Sequence, residues 1–161
     1  MNTMQIKVDY EEFFKGSTAK HWPEQPADFY LRFVAQAVIE SGLDPRKISK
    51  VGASGLMQIM PKTYRDIRLY LPRLSEKICD PASNIEGGIW YMRWIFDRLV
   101  EIEDFEDRFR LALASYNMGL SRVKPLLLKG RTYAGIKGRL PEQIVDYIAT
   151  ITQIYEEETD A

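Results

Sequence analysis

The sequence predicts a mostly helical single domain, with any β-structure confined to a small region around Gly52 to Ile59. Three observations lead there. Apolar residues recur at helical spacing through most of the chain. Prolines and glycines punctuate those stretches. One segment, Val51 to Pro61, breaks the pattern: a loop with Gly52 and Gly55 leads into an apolar run carrying a single amide, Gln58. At 161 residues the chain is long enough to bury a proper core. Residues 1–27 read as an N-terminal extension packed on a domain spanning 28–157.

Within the extension, Asp9 to Lys15 can form a short helix with Phe13 and Phe14 packing inward. Lys20 to Ala27, holding Pro23 and Pro26, reads as a connection. A helix is expected from about Asp28 to Ser41, apolar on nearly all sides and therefore covered by other elements. Gly42 is placed to end it, and Pro45 lies beyond. Pro61 suits a first helical turn that Lys62 to Leu71 continue, and Pro72 stops. From Pro81 to about Ile102 runs the longest amphipathic pattern, with Ile85, Ile89, Met92, Ile95 or Phe96, and Leu99 on its buried face. Gly87-Gly88 weakens that helix by roughly 1 kcal/mol each, tolerable where another backbone packs closely. Trp90 and Trp94, one turn apart, are either core or a platform for a sugar, and burial tendencies favour core. Asp104 to Met118 is a further helix with an acidic start, closing on Gly119. A short helix over Leu120 to Lys129 contains Pro125, a basic loop spans Gly130 to Gly138, and a last helix runs from Pro141 to about Glu157.

Glu40 is the residue most worth chemical attention. It shares a helical face with Phe29, Phe33 and Ala37 and falls in the last turn. Desolvation and the helix dipole both favour its protonated form, which is what a general acid requires. Taken alone, a solvated glutamate at a helix end is the commoner reading. Gln58 is either a core amide satisfied by backbone or a polar group presented to a ligand. Tyr116 and Asn117, in the last turn before Gly119, are either core and helix terminator or site residues.

Composition narrows the alternatives. The formal net charge is −1 and charges are dispersed, so nothing argues for nucleic acid. One cysteine, Cys79, cannot form an internal disulfide, and one histidine, His21, gives little support for a zinc site or a Cys–His pair. No metal or cofactor is expected. No run approaches a membrane span, and Met1 to Lys20 lacks the apolar core of a secretory peptide.

Glu40-Ser41, then Gly55-Leu56-Met57-Gln58 with its Met60-Pro61 tail, then Ser115-Tyr116-Asn117 resemble the ordered motifs of the soluble lytic transglycosylases and the related goose-type lysozymes. Asp80-Pro81 and Asn84-Ile85 lie between the second and third motifs, and the resemblance covers roughly Phe29 to Tyr155. It implies a lysozyme-like fold, mostly α with a minor β part, acting as a monomer. It assigns Glu40 as the single catalytic acid/base. Ser49, Gln58, Met60, Tyr116, Asn117 and Tyr147 become substrate-binding residues. Ser115 stands where the family usually has alanine, and the arginine common before the last tyrosine is absent, which leaves Tyr147 the weakest match.

The resemblance implies cleavage of the peptidoglycan glycan strand between N-acetylmuramic acid and N-acetylglucosamine, with a 1,6-anhydromuramic product. Only Glu40 is well placed around the first motif, whereas most glycosidases use two carboxylates. Two other readings stand beside this one: a goose-lysozyme-type hydrolase in which water attacks, and a non-catalytic wall-binding module. The expected setting is the periplasm or the cell exterior. With no export signal read in the sequence, a phage lysin, a virion component or a factor exported by a secretion machine fits best.

Overall fold

The computed structural model describes residues 9–160, and they are helical, as expected. Among the described residues there are eight α-helices: α1 Glu11–His21, α2 Tyr30–Ser41, α3 Pro61–Tyr70, α4 Pro81–Phe96, α5 Phe105–Met118, α6 Leu120–Val123, α7 Tyr133–Lys137 and α8 Glu142–Thr159. Among the described residues, β-structure amounts to two isolated antiparallel bridges, Ile48 to Ser54 and Ser54 to Ile59. The first eight residues of the N-terminal extension lie outside the described residues. The chain forms two compact units. One runs through to Trp90 and resumes at Ile154, and the other is Tyr91–Gln153.

The first unit is built on aromatic packing. Trp22 lies with its ring centroid 5.2 Å from that of Phe29 and 5.6 Å from that of Phe33. Its indole nitrogen donates to the Ile89 carbonyl at 3.2 Å, tying the end of α1 to α4. Phe14 is fully buried but Phe13 is exposed, so only one of the two phenylalanines packs inward. Successive side chains on a helix point about 100° apart, so adjacent residues at the edge of the buried face can differ in this way. Glycine at position 88 is required by a close approach. A Cβ there would fall 2.7 Å from Met57 Cβ, so the partner that demands the glycine is a side chain, where the sequence suggested a backbone.

A second tie between α1 and α4 is ionic. The Arg73 guanidinium grips the Glu86 carboxylate with both terminal nitrogens, Nη1 at 2.7 Å, and His21 Nε2 meets the same carboxylate at 2.9 Å. Burial would raise the acid's pKa, but these partners hold Glu86 down to about 2. Burial likewise pushes His21 below 6.5, and Glu86 offsets this only in part.

Within the second unit Met92, Ile95, Leu99, Ile102, Phe109, Leu111 and Ile148 are almost completely buried. The helix expected to reach Ile102 ends at Phe96. Beyond it the backbone turns tightly, with Leu99 N donating to Phe96 O and Ile102 N to Leu99 O at 3.2 and 3.1 Å. Three-residue turns present every third side chain to the core, so Phe96, Leu99 and Ile102 mimic helical spacing. Pro125, lacking an N–H, converts the next helix into a 3₁₀ stretch over Lys124–Leu128. The basic loop contains α7, started by Thr132, whose hydroxyl accepts from Gly135 N at 3.1 Å, and anchored by buried Ile136. No described helix is long and apolar enough to cross a membrane.

Two tests follow from this packing. Gly88→Ala forces Met57 aside at its root and should cost about 1–3 kcal/mol, read as a lower midpoint in urea unfolding. The pH dependence of stability is fixed in sign. His21 is lowered in the fold, so stability present above pH 6.5 declines as pH falls towards its folded value. The Glu86 contribution is present above pH 4.5 and is lost as pH falls towards about 2. Thermal scans should therefore decline as pH falls below 6.5 and again below 4.5, and Glu86→Gln should flatten the acid limb. An unchanged acid limb in that variant would refute the assignment.

Candidate active site

Glu40 occupies the last turn of α2 and is partly buried. The helix stops through two successive left-handed residues, Gly42 at φ 60° and Leu43 at φ 61°. Ser41 makes this stop part of a larger construction. Its buried hydroxyl accepts from Leu43 N at 3.1 Å and lies 2.8 Å from the Leu56 carbonyl and 3.1 Å from the Ala37 carbonyl. The serine following Glu40 thus fastens the end of α2 to the Gly55–Gln58 turn. Lys47 adds a second fastening, its ammonium donating to the Glu40 carbonyl at 3.2 Å.

That turn is held by one side chain the sequence reading left without a role. Asn84 is completely buried near the start of α4. Its Oδ1 accepts from Met57 N at 2.7 Å, and its Nδ2 donates to Ser54 O at 3.0 Å and Ile78 O at 2.8 Å. Gly55, at φ 81°, faces it so closely that a Cβ would lie 2.3 Å from Asn84 Nδ2. A side chain is thus barred at position 55 by backbone angle and by space alike.

Gln58 is itself left-handed, at φ 48°, and nearly buried. Its Nε2 donates to Lys47 O at 3.0 Å and Gly55 O at 2.9 Å. Both amide protons are therefore committed to backbone, and the amide oxygen is the part available to a ligand. Ser49 closes the preceding turn, its hydroxyl accepting from Ala53 N at 3.0 Å. Met60, 41% exposed, precedes Pro61 at the start of α3. Glu40, Ser49, Gln58 and Met60 all belong to the first unit, and Ser41, Lys47 and Asn84 knit their segments together.

The remaining candidates lie in the second unit. Tyr116 is partly buried, 5.5 Å from the Tyr91 ring, and Asn117 is exposed in the last turn of α5. Tyr147 is buried on α8. Ser115 returns its hydroxyl to Leu111 O at 2.8 Å, which explains why a serine substitutes for alanine without an unsatisfied group. Each tryptophan already has an aromatic neighbour. Trp90 lies 5.1 Å from Tyr70, and Trp94 stacks on Tyr91 at 5.9 Å with the Arg98 guanidinium 3.6 Å from its centroid. Among the described residues no group of three or more His, Cys, Asp or Glu could hold a metal ion.

Two buried polar groups were given no role in the sequence reading. Asn84 had a signal, since a polar residue on the buried face of an apolar helix must find partners. Gln36 had none. It is fully buried in α2, and neither amide atom has a hydrogen-bond partner.

A helical chain whose β-structure, among the described residues, amounts to two isolated bridges has the lysozyme-like class of fold. The transglycosylase SLT domain model matches residues 19–135, and the chain belongs to that family. The soluble lytic murein transglycosylase of Escherichia coli K12 is 32% identical over 127 residues, covering 76% of this chain and 18% of that protein. Membrane-bound lytic murein transglycosylase F of Vibrio cholerae is 32% identical over 124 residues, covering 72% of this chain and 22% of its own. The chain thus spans about a fifth of the length of these curated relatives. The crystal structure of the 70 kDa soluble lytic transglycosylase of E. coli superposes with a TM-score of 0.72 at 26% identity, over 91% of this chain and 23% of that one.

Asn84→Ala would orphan one buried N–H and two carbonyls and should cost roughly 2–4 kcal/mol, with thermal unfolding as the measurement. Gln36→Met replaces an unpartnered amide with an apolar chain of similar length and should stabilise by about 1 kcal/mol. A loss of stability there would mean that a bound water satisfies the amide.

Proposed function

We propose that this chain is a peptidoglycan lytic transglycosylase that cleaves the β-1,4 bond between N-acetylmuramic acid and N-acetylglucosamine, with Glu40 as its single acid/base. The observation that carries this reading is the double fastening of the Glu40 helix end to the Gly55–Gln58 turn, through Ser41 and Lys47, in a chain of the SLT family. Such bracing holds a proton donor at a fixed place relative to a bound glycan.

Protonated Glu40 gives its proton to the bridging oxygen as the bond from that oxygen to the muramic anomeric carbon breaks. Positive charge develops on that carbon in an oxocarbenium-like transition state. The carboxylate left behind then takes the proton of the muramic C6 hydroxyl, whose oxygen bonds to the anomeric carbon. Glu40 ends protonated, no water is consumed, and the product carries a 1,6-anhydro bridge. Ser49, Gln58 through its amide oxygen, Met60, Tyr116, Asn117 and Tyr147 contact the glycan in this reading, and the enzyme acts as a monomer on the cell wall. The 70 kDa soluble lytic transglycosylase is also known in complex with bulgecin A, at 26% identity to this chain. The same compound should bind here.

Mass spectrometry of muropeptides released from purified peptidoglycan tests the reading. Wild type should yield products about one water lighter than reducing muropeptides, and Glu40→Gln should lose activity on the order of a thousandfold or more, the scale of removing a group that acts directly in the reaction. Reducing ends would make it a hydrolase. Retained binding to sacculi without release by wild type would make it a wall-binding module.

A further inference from the structure

Helical hydroxyls elsewhere in this chain return to their own helix. Thr150, Thr152 and Ser115 donate to the carbonyls of Asp146, Ile148 and Leu111, four residues back, each at 2.8 Å. This is the ordinary outlet for a threonine or serine inside a helix. Thr18 in α1 departs from it. It is 4% exposed, and among the described residues its Oγ1 has no hydrogen-bond partner. A buried hydroxyl left in that state destabilises the fold and calls for an explanation.

Thr18 lines a cavity of about 120 Å³ between the end of α1 and the turn that follows it. The other walls are mainly carbon. Pro23 and Pro26 bring their rings and Ala19 its methyl group, and Trp22 brings only carbon because its nitrogen is taken by the Ile89 carbonyl. Lys15 also borders the cavity, but its ammonium is drawn to Glu11 at 3.3 Å and lies 5.5 Å from the centre of the Tyr30 ring. Gln25 is the remaining polar neighbour. The cavity stands apart from the candidate active site. Trp22 packs on Phe29 and Phe33 around the start of α2, whereas Glu40 lies in its last turn. The seven residues from Phe33 to Glu40 rise roughly 10 Å along the axis.

We propose that this cavity binds a free small molecule of the phenol class, its ring against Trp22 and the two prolines and its hydroxyl hydrogen-bonded to Thr18 Oγ1. Size sets the first limit, since an apolar cavity of roughly 150 Å³ takes benzene and this one is somewhat smaller. The flat carbon faces of an indole and two pyrrolidine rings suit a flat ring. A ligand hydroxyl can donate to Thr18 or accept from it, so it meets the lone buried group in either sense. A carboxylate is a poorer match, because the one cation at the border is already engaged with Glu11. Ordered water is poorer still, since it needs about two to four polar partners and the walls are mostly carbon.

The test titrates phenol and toluene into wild type, Thr18→Val and Ala19→Leu, following the Trp22 indole N–H resonance by NMR. Both compounds should shift that resonance saturably in wild type. Thr18→Val keeps the shape and removes the hydroxyl, so it should weaken phenol roughly three- to tenfold and leave toluene within twofold. Ala19→Leu, which fills the chamber, should weaken both compounds on the order of tenfold or more. The absence of a saturable shift in wild type overturns the proposal, and so does an equal response of phenol and toluene to Thr18→Val. Without ligand, Thr18→Val should melt no lower than wild type. A lower midpoint would show that the hydroxyl is already partnered in the free protein, and the proposal would fall. N-acetyltyrosinamide carries the same phenol on a peptide unit. Tighter binding of that compound than of phenol would make the cavity a docking point for a protein side chain and overturn the small-molecule reading.

Discussion

The amide of Asn84 is the constraint on which the first unit's functional segment depends. Three hydrogen bonds from one buried side chain fix the backbone on both sides of Gly55 and link it to Ile78. A buried amide of this kind is stabilising only when all of its partners are present, because each unmet bond costs more than a met one contributes. The glycine, the asparagine and the left-handed Gln58 are therefore one device in three places. Ser41 joins that device to the end of α2, and Glu40 takes its position from the join.

Physical roles within this device divide differently from the roles a motif suggests. Gln58 appears among the sugar-binding candidates, yet both protons of its amide serve the loop. Ser41, next to the catalytic candidate, acts on Leu56 and Leu43. Lys47 supports the carbonyl of Glu40, at a helix end where a cation also complements the dipole. Chemistry at such a site rests on a few exposed groups held by many committed ones.

Much of this was legible in the sequence, for identifiable reasons. Helices α2, α3 and α5 were readable because their ends carry strong punctuation: Gly42, Pro61, and Asp104, whose carboxylate accepts from Asp107 N at 2.9 Å. The end of α4 was not, since tight turns after Phe96 continue a helix-like spacing of apolar residues. Helix α7 was hidden by the basic residues flanking it, with Thr132 and Ile136 as its local signals. Motif order located the candidate site residues. It could not reveal which hydrogen bonds each would make, since those depend on segments as distant in sequence as Ser54 and Asn84. That the buried amide of Gln36 would find no hydrogen-bond partner had no counterpart in any pattern.

The double occupation of Gln58 bears on how descent should be read in proteins of this kind. Gly55, Gln58 and Asn84 hold the chain together whether or not a glycan is ever cut, so selection for a folded protein alone would preserve them. A lineage that abandoned its chemistry could therefore keep the glycine–glutamine signature intact for as long as it kept its fold.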